Sequence, residues 1–363
     1  MIGQVLEKGG KKMSVYVVVI NPLNPNNWRP FEKESMQEYF GNITVVGPED
    51  MENWEREGAK HDIIYWHLDA EKTPWAMVQK CIEVADKFET VGKSQINHPK
   101  GWVCAHAKDK AYEAWQAAGI PTLKFFTFDS PEEFLEKQNQ IGYPMLIRVN
   151  DGNTGEGSAY IADEDTAKRF MEVMPAINGH MTEKYGPGVG RTWIAAEFVD
   201  HVKYGYRYSC RIIVAGNKVV TGYARPGDPA KWAANDDTYM SEQEAAFVQL
   251  NKECQAFCEQ QEGLLVEALR VLGVNYEGVD VIFRDDGSPV FLEIQPDFDC
   301  GNPRRGDGPP WYNPSNRTGA ELVKFISDNE EMFKKELSMY YFNWLDKRNL
   351  FDECHKALLE SFR

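Results

Sequence analysis

Residues 278–295, GVDVIFRDDGSPVFLEIQ, predict a β-hairpin that sets two carboxylates against each other, and this pairing limits what the rest of the chain can build around it. An apolar run, Val279 to Phe283, meets Asp286-Gly287, a dipeptide favoured in tight two-residue hairpin loops, and a second run, Val290 to Ile294, leaves it. Counting outward from that turn places Asp280 across from Glu293. Strand alternation then puts Asp280, Ile282, Phe291, Glu293 and Gln295 on one face, and Val279, Val281, Leu292 and Ile294 on the other. Directly opposed Cβ atoms lie about 4.5–5.5 Å apart, where like charges destabilise a sheet unless something positive sits with them. Hard oxygen donors with no His or Cys nearby point to Mg²⁺ or Mn²⁺ rather than zinc, and Mg²⁺ bound by few carboxylates usually shares its shell with nucleotide phosphates. The alternative is a single acid solvated at a strand end.

At 363 residues the chain exceeds one ordinary core, and two or three packed lobes are expected. Hydrophobic residues at 42% and aromatics at 12% suffice for globular cores and argue against a long disordered region. The net charge of −16 argues against unassisted binding to nucleic acid or an anionic membrane, although a metal-nucleotide complex would still bind through local cations. No apolar stretch approaches the roughly 20 residues that span a bilayer, and MIGQVLEKGGKK lacks the apolar core of a signal peptide. A soluble, cytoplasmic protein is therefore expected, with residues 1–13 a loose leader. The cysteines at 81, 104, 210, 254, 258, 300 and 354 lack zinc-ribbon spacing and read as reduced thiols. Cys254 and Cys258 read as buried helix positions, whereas Cys300, close to the hairpin, is a candidate substrate-contact or nucleophilic residue with no histidine nearby in sequence to activate it.

The segments SVYVVVI at 14–20 and IIYWHL at 63–68 read as buried strands, and helical patterns lie between and after them, which predicts a small parallel α/β lobe over 14–105. No G-x-G-x-x-G follows the first strand, so a dinucleotide site there is not expected. A helix over 106–118, a helix capped by Ser130 and the strand PMLIRV predict a central lobe at 106–198. A third lobe, 199–363, opens with YRYSCRIIVAG and KVVTGYAR around a Gly-Asn turn. It continues through a helix at 242–271 to the acidic hairpin and ends in a helical tail.

The loop NDGNTGEGSAY, 150–160, is rich enough in glycine to fold its amides closely over a charged ligand, though without the Gly-Lys-Ser/Thr of a Walker A motif it reads equally as a hairpin turn. Arg148 on the preceding strand and Lys110 at the head of a helix would supply cations. Together with a metal hairpin in the next lobe they would grip a triphosphate. Glu197 interrupts the buried strand WIAAEFV, and either an adenine amino group or an arginine partner would explain it.

The order INHP, DKAYEAWQAAGIP, PMLIRVNDGNTGEGSAYI, AEFV, CRIIVAGNKVVTGYAR, GVDVIFRDDGSPVFLEIQP resembles the ATP-grasp superfamily over about 95–300, nearest to the ribosomal-protein glutamate ligase and D-alanine–D-alanine ligase pattern. The resemblance implies an α/β (α+β) ATP-grasp fold of three lobes, with ATP held between two α+β lobes. It implies that Lys110 and Arg148 contact ATP, with Arg148 where most members carry lysine, and that the loop with Gly155, Glu156 and Gly157 lids the phosphates. Glu197, Phe198 and Val199 would bind adenine, and Asp280, Glu293 and Gln295 would hold Mg²⁺ or Mn²⁺, with Gln295 where members usually carry asparagine. Arg211 and Arg225 would meet the γ-phosphate and acyl phosphate, and Asn235 matches an asparagine of the glutamate ligase branch. Each of the three also reads as an ordinary surface or ion-paired residue. No clear acid stands at the family's usual ribose-contact position.

The implied activity is an ATP-dependent carboxylate–amine ligation through an acyl phosphate, acting on small carboxylate and amine substrates such as an amino acid or short peptide, and the family would accommodate a homodimer through the first lobe. Arg304-Arg305 would receive a second carboxylate, and Asp297 and Asp299 would meet the amine or merely cap turns. The same fold also admits phosphorylation of a small-molecule hydroxyl, or nucleotide binding without turnover.

Overall fold

Strand β1 (Val15–Ile20) is apolar along its length and buried at every position, a pattern that requires cover on both faces. In the computed structural model, which describes residues 12–20, 30–68, 73–150, 157–185, 192–227, 244–295, 324–345 and 347–363, that cover comes from helices on either side of a parallel sheet. After β1 come α1 (Pro30–Tyr39), β2 (Ile43–Val46), α2 (Trp54–Gly58), β3 (Ile63–Leu68), α3 (Trp75–Thr90) and β4 (Ser94–Ile96). The strands order β2-β1-β3-β4, all parallel.

Two helices then leave this lobe, α4 (Pro99–His106) and α5 (Lys108–Ala117). The single helix expected over 106–118 is broken at Ala107, whose φ of −105° and ψ of 107° are extended. Gly101 on α4 lies hard against the third lobe: a Cβ there would stand 2.3 Å from Val274 Cγ1 and 2.8 Å from the Leu272 carbonyl oxygen. A backbone oxygen cannot rotate away, so Gly101→Ala is expected to destabilise the protein by about 1–3 kcal/mol, read as a lower denaturant midpoint.

The second lobe holds β5 (Phe125–Phe128), α6 (Pro131–Lys137), β6 (Met145–Val149), β7 (Ala159–Ile161), α7 (Glu164–Tyr185) and β8 (Trp193–Glu197). Its sheet is antiparallel in the order β5-β8-β6-β7. The Ser130 cap is as expected: its Oγ accepts from the Glu133 N–H at 3.2 Å, and the Glu133 carboxylate accepts from the Asp129 N–H at 2.8 Å, which closes a reciprocal cap on α6.

The third lobe contains β9 (Val202–Lys203), β10 (Tyr206–Ala215), β11 (Lys218–Gly227), α8 (Glu244–Gln260), α9 (Glu262–Arg270), β12 (Tyr276–Phe283) and β13 (Pro289–Gln295). Its antiparallel sheet runs β11-β10-β12-β13, with β9 on the edge of β10. One face is dry: Ile212, Val214, Val279 and Val281 pack with Leu250, Leu265 and Leu269 of the two helices. Cys210, Cys254 and Cys258 belong to this core, and burial raises the Cys210 and Cys254 thiols, so they are packing residues rather than nucleophiles. The other face carries the polar side chains described below.

The tail forms α10 (Glu330–Glu336), α11 (Ser338–Leu345) and α12 (Lys347–Ser361). Helix α12 returns to the first lobe, where Leu350, Phe351 and Cys354 share a core with Val15, Val17 and Val19 and with Ile213 and Tyr276 of the third sheet. His355 Nδ1 lies 2.9 Å from Ser35 Oγ across that contact. The chain end thus fastens the first lobe to the third. No described helix is long and apolar enough to cross a membrane.

Candidate active site

The acidic hairpin sets Asp280 opposite Glu293, as counted from the turn, but by a different route. Gly287 donates to the Arg284 carbonyl at 2.8 Å and takes a φ of +81°, so the loop is a three-residue turn closed by a left-handed glycine. That shortens the register by one residue, and a bulge at Leu292 restores it, since Val281 pairs with Phe291 while Asp280 pairs with Glu293. The two inner face assignments are therefore reversed from the simple alternation. Phe291 is buried against the Trp115 ring, at a centroid distance of 5.7 Å, and Leu292 shares the acids' side. The bulge has a visible cause: the Phe291 N–H donates to the Pro121 carbonyl at 2.9 Å, and its carbonyl accepts from Thr122 Oγ1 at 2.8 Å. This backbone is bonded across the lobes.

Between the second and third sheets lies a cleft of about 120 Å³. Arg148, Arg225, Asp280 and Glu293 line one part of it, with Ser209 beside them. Leu123, Leu146, Ala196, Phe198 and Val199 line another, with Ile282 and Leu292 from the hairpin and His201 from the chain that joins the lobes. Charge at one end and an apolar slot at the other match what a nucleotide presents, phosphates and a planar base.

Asp280 is 4% exposed, and the positive charge beside it is an arginine pair. Arg211, its cross-strand neighbour on β10, donates from Nε and Nη2 to its two oxygens at 2.8 Å each, and Arg225 Nη1 reaches Oδ2 at 3.4 Å. Burial alone would raise this carboxyl, but the two guanidinium groups hold it below the ordinary carboxylate range. Glu293, with 31% of its side chain exposed, stands 3.8 Å from Arg148 Nη1 and accepts from Gln295 Nε2 at 2.9 Å. Arg148 in turn donates to Tyr112 Oη at 2.7 Å, a hydroxyl whose pKa burial raises. Guanidinium groups thus bracket both acids.

The structure thus places guanidinium charge beside the acids that the sequence reading assigned to a metal. The donor set still suits a hard cation: a carboxylate offers about four lone-pair sites, Arg211 and Arg225 use only some of those on Asp280, and Glu293 is open to solvent. Glu293, the outer lone pairs of Asp280 and the Gln295 amide oxygen are the residues that would hold Mg²⁺ or Mn²⁺. The cluster of described acids and histidine gathered most closely for a metal lies elsewhere, at Asp86, Glu89 and His98. There the Lys100 ammonium sits 2.6 Å from Asp86 and the Lys100 N–H donates to His98 Nδ1 at 3.2 Å, so the charge is already compensated.

Two of the expected ATP contacts are already paired. Lys110 is not among the described residues that line this cleft; its side chain is 49% exposed on α5, with Nζ 2.9 Å from Glu113 and 3.3 Å from Asp109. The three-residue spacing to Glu113 satisfies it locally. Glu197 does line the cleft, but its carboxylate is engaged: Arg284 donates at 2.5 and 3.3 Å, and the Lys124 N–H at 3.0 Å. Burial pushes this carboxyl up, and the Arg284 and Lys124 bonds outweigh it and lower its pKa. Of the two explanations that the sequence left open, the arginine partner is the one realised, and it spans the two lobes.

Phe198 and Val199 both line the cleft, Phe198 with its ring 4.9 Å from that of Tyr160 and under Arg207 at 5.2 Å. Gly157 adopts a left-handed φ of +66°, and a Cβ there would fall 2.7 Å from Val149 Cγ2, so both conformation and space demand glycine. Gly155, Glu156, Asn235, Asp297, Asp299, Cys300, Arg304 and Arg305 lie outside the described residues. Sequence reading missed Tyr112, His201, Ser209 and Arg284. Ser209 alternates with Arg211 on one strand, so the face shared with the arginine was a usable signal.

The profile of the RimK-like ATP-grasp domain matches residues 105–301, more than half of the chain. Among curated proteins, human N-acetylaspartylglutamate synthase A is 20% identical over 224 residues, which cover 61% of this chain and 51% of that protein. The "Probable alpha-L-glutamate ligase" of Saccharophagus degradans is 23% identical over 212 residues, 58% of this chain and 62% of its own. The chain therefore matches between half and two thirds of the length of these relatives. Two solved structures share its fold: a RimK-domain ATP-grasp protein from Sphaerobacter thermophilus (TM-score 0.50, 14% identity, 95% of this chain and 99% of that one), and the ATP-grasp ligase PsnB complexed with minimal precursor (TM-score 0.51, 12% identity, 97% and 99%). With its second and third sheets closing on one cleft of arginines and acids, the chain belongs to the RimK-like ATP-grasp family.

Proposed function

We propose that the protein is an ATP-dependent carboxylate–amine ligase that releases ADP and phosphate. The observation that carries this reading is the placement of Arg148, Arg211 and Arg225 around Asp280 and Glu293 at one end of a cleft whose other end is an apolar slot. A carboxylate oxygen of the acid substrate attacks the γ-phosphorus, the bond from phosphorus to the bridging oxygen of ADP breaks, and an acyl phosphate forms. The amine nitrogen then attacks the acyl carbon, the bond to phosphate breaks, and the nitrogen loses a proton to leave an amide.

Both steps bring anions together, so the protein's work is to position them and neutralise the oxygens between. Arg225 and Arg148 face the cleft and would orient the γ-phosphate and the acid, while Arg211, already bidentate on Asp280, holds that carboxylate in place. A bound Mg²⁺ would screen charge on the phosphates from Glu293 and Asp280. The relatives named above make or join acidic amino-acid derivatives, and the acid proposed for this chain is accordingly an amino acid or short peptide. The cytoplasm, where ATP is present and thiols stay reduced, is the proposed compartment.

Incubation with Mg-ATP, pooled amino acids and small carboxylic acids, and hydroxylamine tests the reading, with ADP and hydroxamates read by mass spectrometry. A hydroxamate dependent on both ATP and one acid is the expected result, and its mass names that acid. ADP accompanied by a phosphorylated pool member and no hydroxamate would replace ligation with phosphorylation of a hydroxyl.

A further inference from the structure

His201 stands where the chain leaves the second lobe for the third, and it lines the apolar end of the cleft. Its Nδ1 lies 2.7 Å from the Val199 carbonyl oxygen. A carbonyl only accepts, so Nδ1 carries the hydrogen, and in a neutral ring Nε2 is then a bare acceptor. Burial first, and then the Arg207 guanidinium, hold the ring's pKa down to about 4 against the opposing pull of the Val199 bond and Asp200, so the ring is neutral at neutral pH.

Leu123, Leu146, Ala196 and Leu292 present only apolar side chains here, and the Glu197 carboxylate already accepts from Arg284 and from the Lys124 N–H. We propose that Nε2 of His201 accepts a hydrogen bond from the 6-amino group of adenine, so that this residue, rather than Glu197, makes the cleft select adenosine nucleotides over 6-oxo purine nucleotides. The proposal rests on the ATP reading above. A 6-oxo purine turns an acceptor toward Nε2, and two facing acceptors leave both buried and unpaired.

Equilibrium binding of Mg-ATP and Mg-ITP to the full chain tests it. The unsubstituted protein is expected to prefer ATP by about tenfold or more, the usual consequence of one unpaired buried polar group. His201→Leu is expected to bring the ratio to within about threefold, chiefly by weakening ATP, and His201→Gln, which offers one donor and one acceptor, to restore most of the preference. A second readout needs no variant: the unprotonated ring nitrogen of His201, followed by ¹⁵N NMR, is expected to shift on adding ATP and to stay unmoved on adding ITP. An unchanged ATP-to-ITP ratio in His201→Leu, or an unmoved nitrogen with ATP bound, overturns the role of His201 alone. Failure of the unsubstituted protein to bind ATP overturns the ligase reading with it.

Discussion

Asp280→Ala is expected to destabilise the third lobe by about 3–5 kcal/mol, measured as a fall in the denaturant midpoint, because it strips a bidentate carboxylate from buried guanidinium charge. Arg211 and Arg225 have only 15% and 16% of their side chains exposed, and Arg211 donates twice to this carboxylate. Removing the acid takes from that desolvated charge the carboxylate bonded to both guanidinium groups, which is the expensive way to break a buried pair. The double variant Asp280→Ala/Arg211→Ala is expected to cost less than the sum of the two single variants, since the two side chains share one bidentate contact. Acid sensitivity follows from the same pair. The folded carboxyl is held below its ordinary value of 3.8, so its stabilisation is present above that pH and is lost as the pH falls through the lowered folded value. Asp280→Asn is expected to flatten the stability curve below about pH 3.8 and leave its slope unchanged near neutrality.

The second large effect is expected on turnover rather than on stability. Glu293→Gln keeps the shape and a hydrogen-bond acceptor for Gln295 but removes a charge from a half-open position, so folding should be little affected. ADP production should fall by about 10²–10³-fold, the scale seen when one preorganised electrostatic contact to a reacting group is deleted. The cation requirement separates this from a general loss of binding: nucleotide affinity without Mg²⁺ should stay within about threefold of the parent, while the gain on adding Mg²⁺ should largely vanish. A variant with unaltered Mg²⁺ dependence would remove Glu293 from the cation site and leave it as the partner of Arg148.

The elements that sequence reading recovered are those whose determinants act locally. The strands β1 and β3 and the Ser130 cap each depend on apolar runs or turn residues within some twenty positions of chain. The Lys110–Glu113 pair is local as well, three residues apart on one helix. The register inside the hairpin was not local. The bulge at Leu292 exists because Phe291 bonds through both backbone groups to Pro121 and Thr122 and packs on Trp115, residues more than 160 positions away. The return of α12 onto the first lobe likewise reflects packing between lobes.

The sequence by itself determined which chemical groups this protein has to work with: two acids on a hairpin, arginines on neighbouring strands, and a glycine at 157 free to take a left-handed backbone. Tertiary structure decided what those groups are bonded to. Arg211 meets Asp280 only because β10 pairs with β12, Arg284 meets Glu197 only because two lobes close on each other, and His201 shows a bare Nε2 only because the Val199 carbonyl holds the ring hydrogen on Nδ1. Charge and hydrogen-bonding capacity are properties of a residue, but whether a charge is free, paired or buried is settled by neighbours that the fold brings from far along the chain.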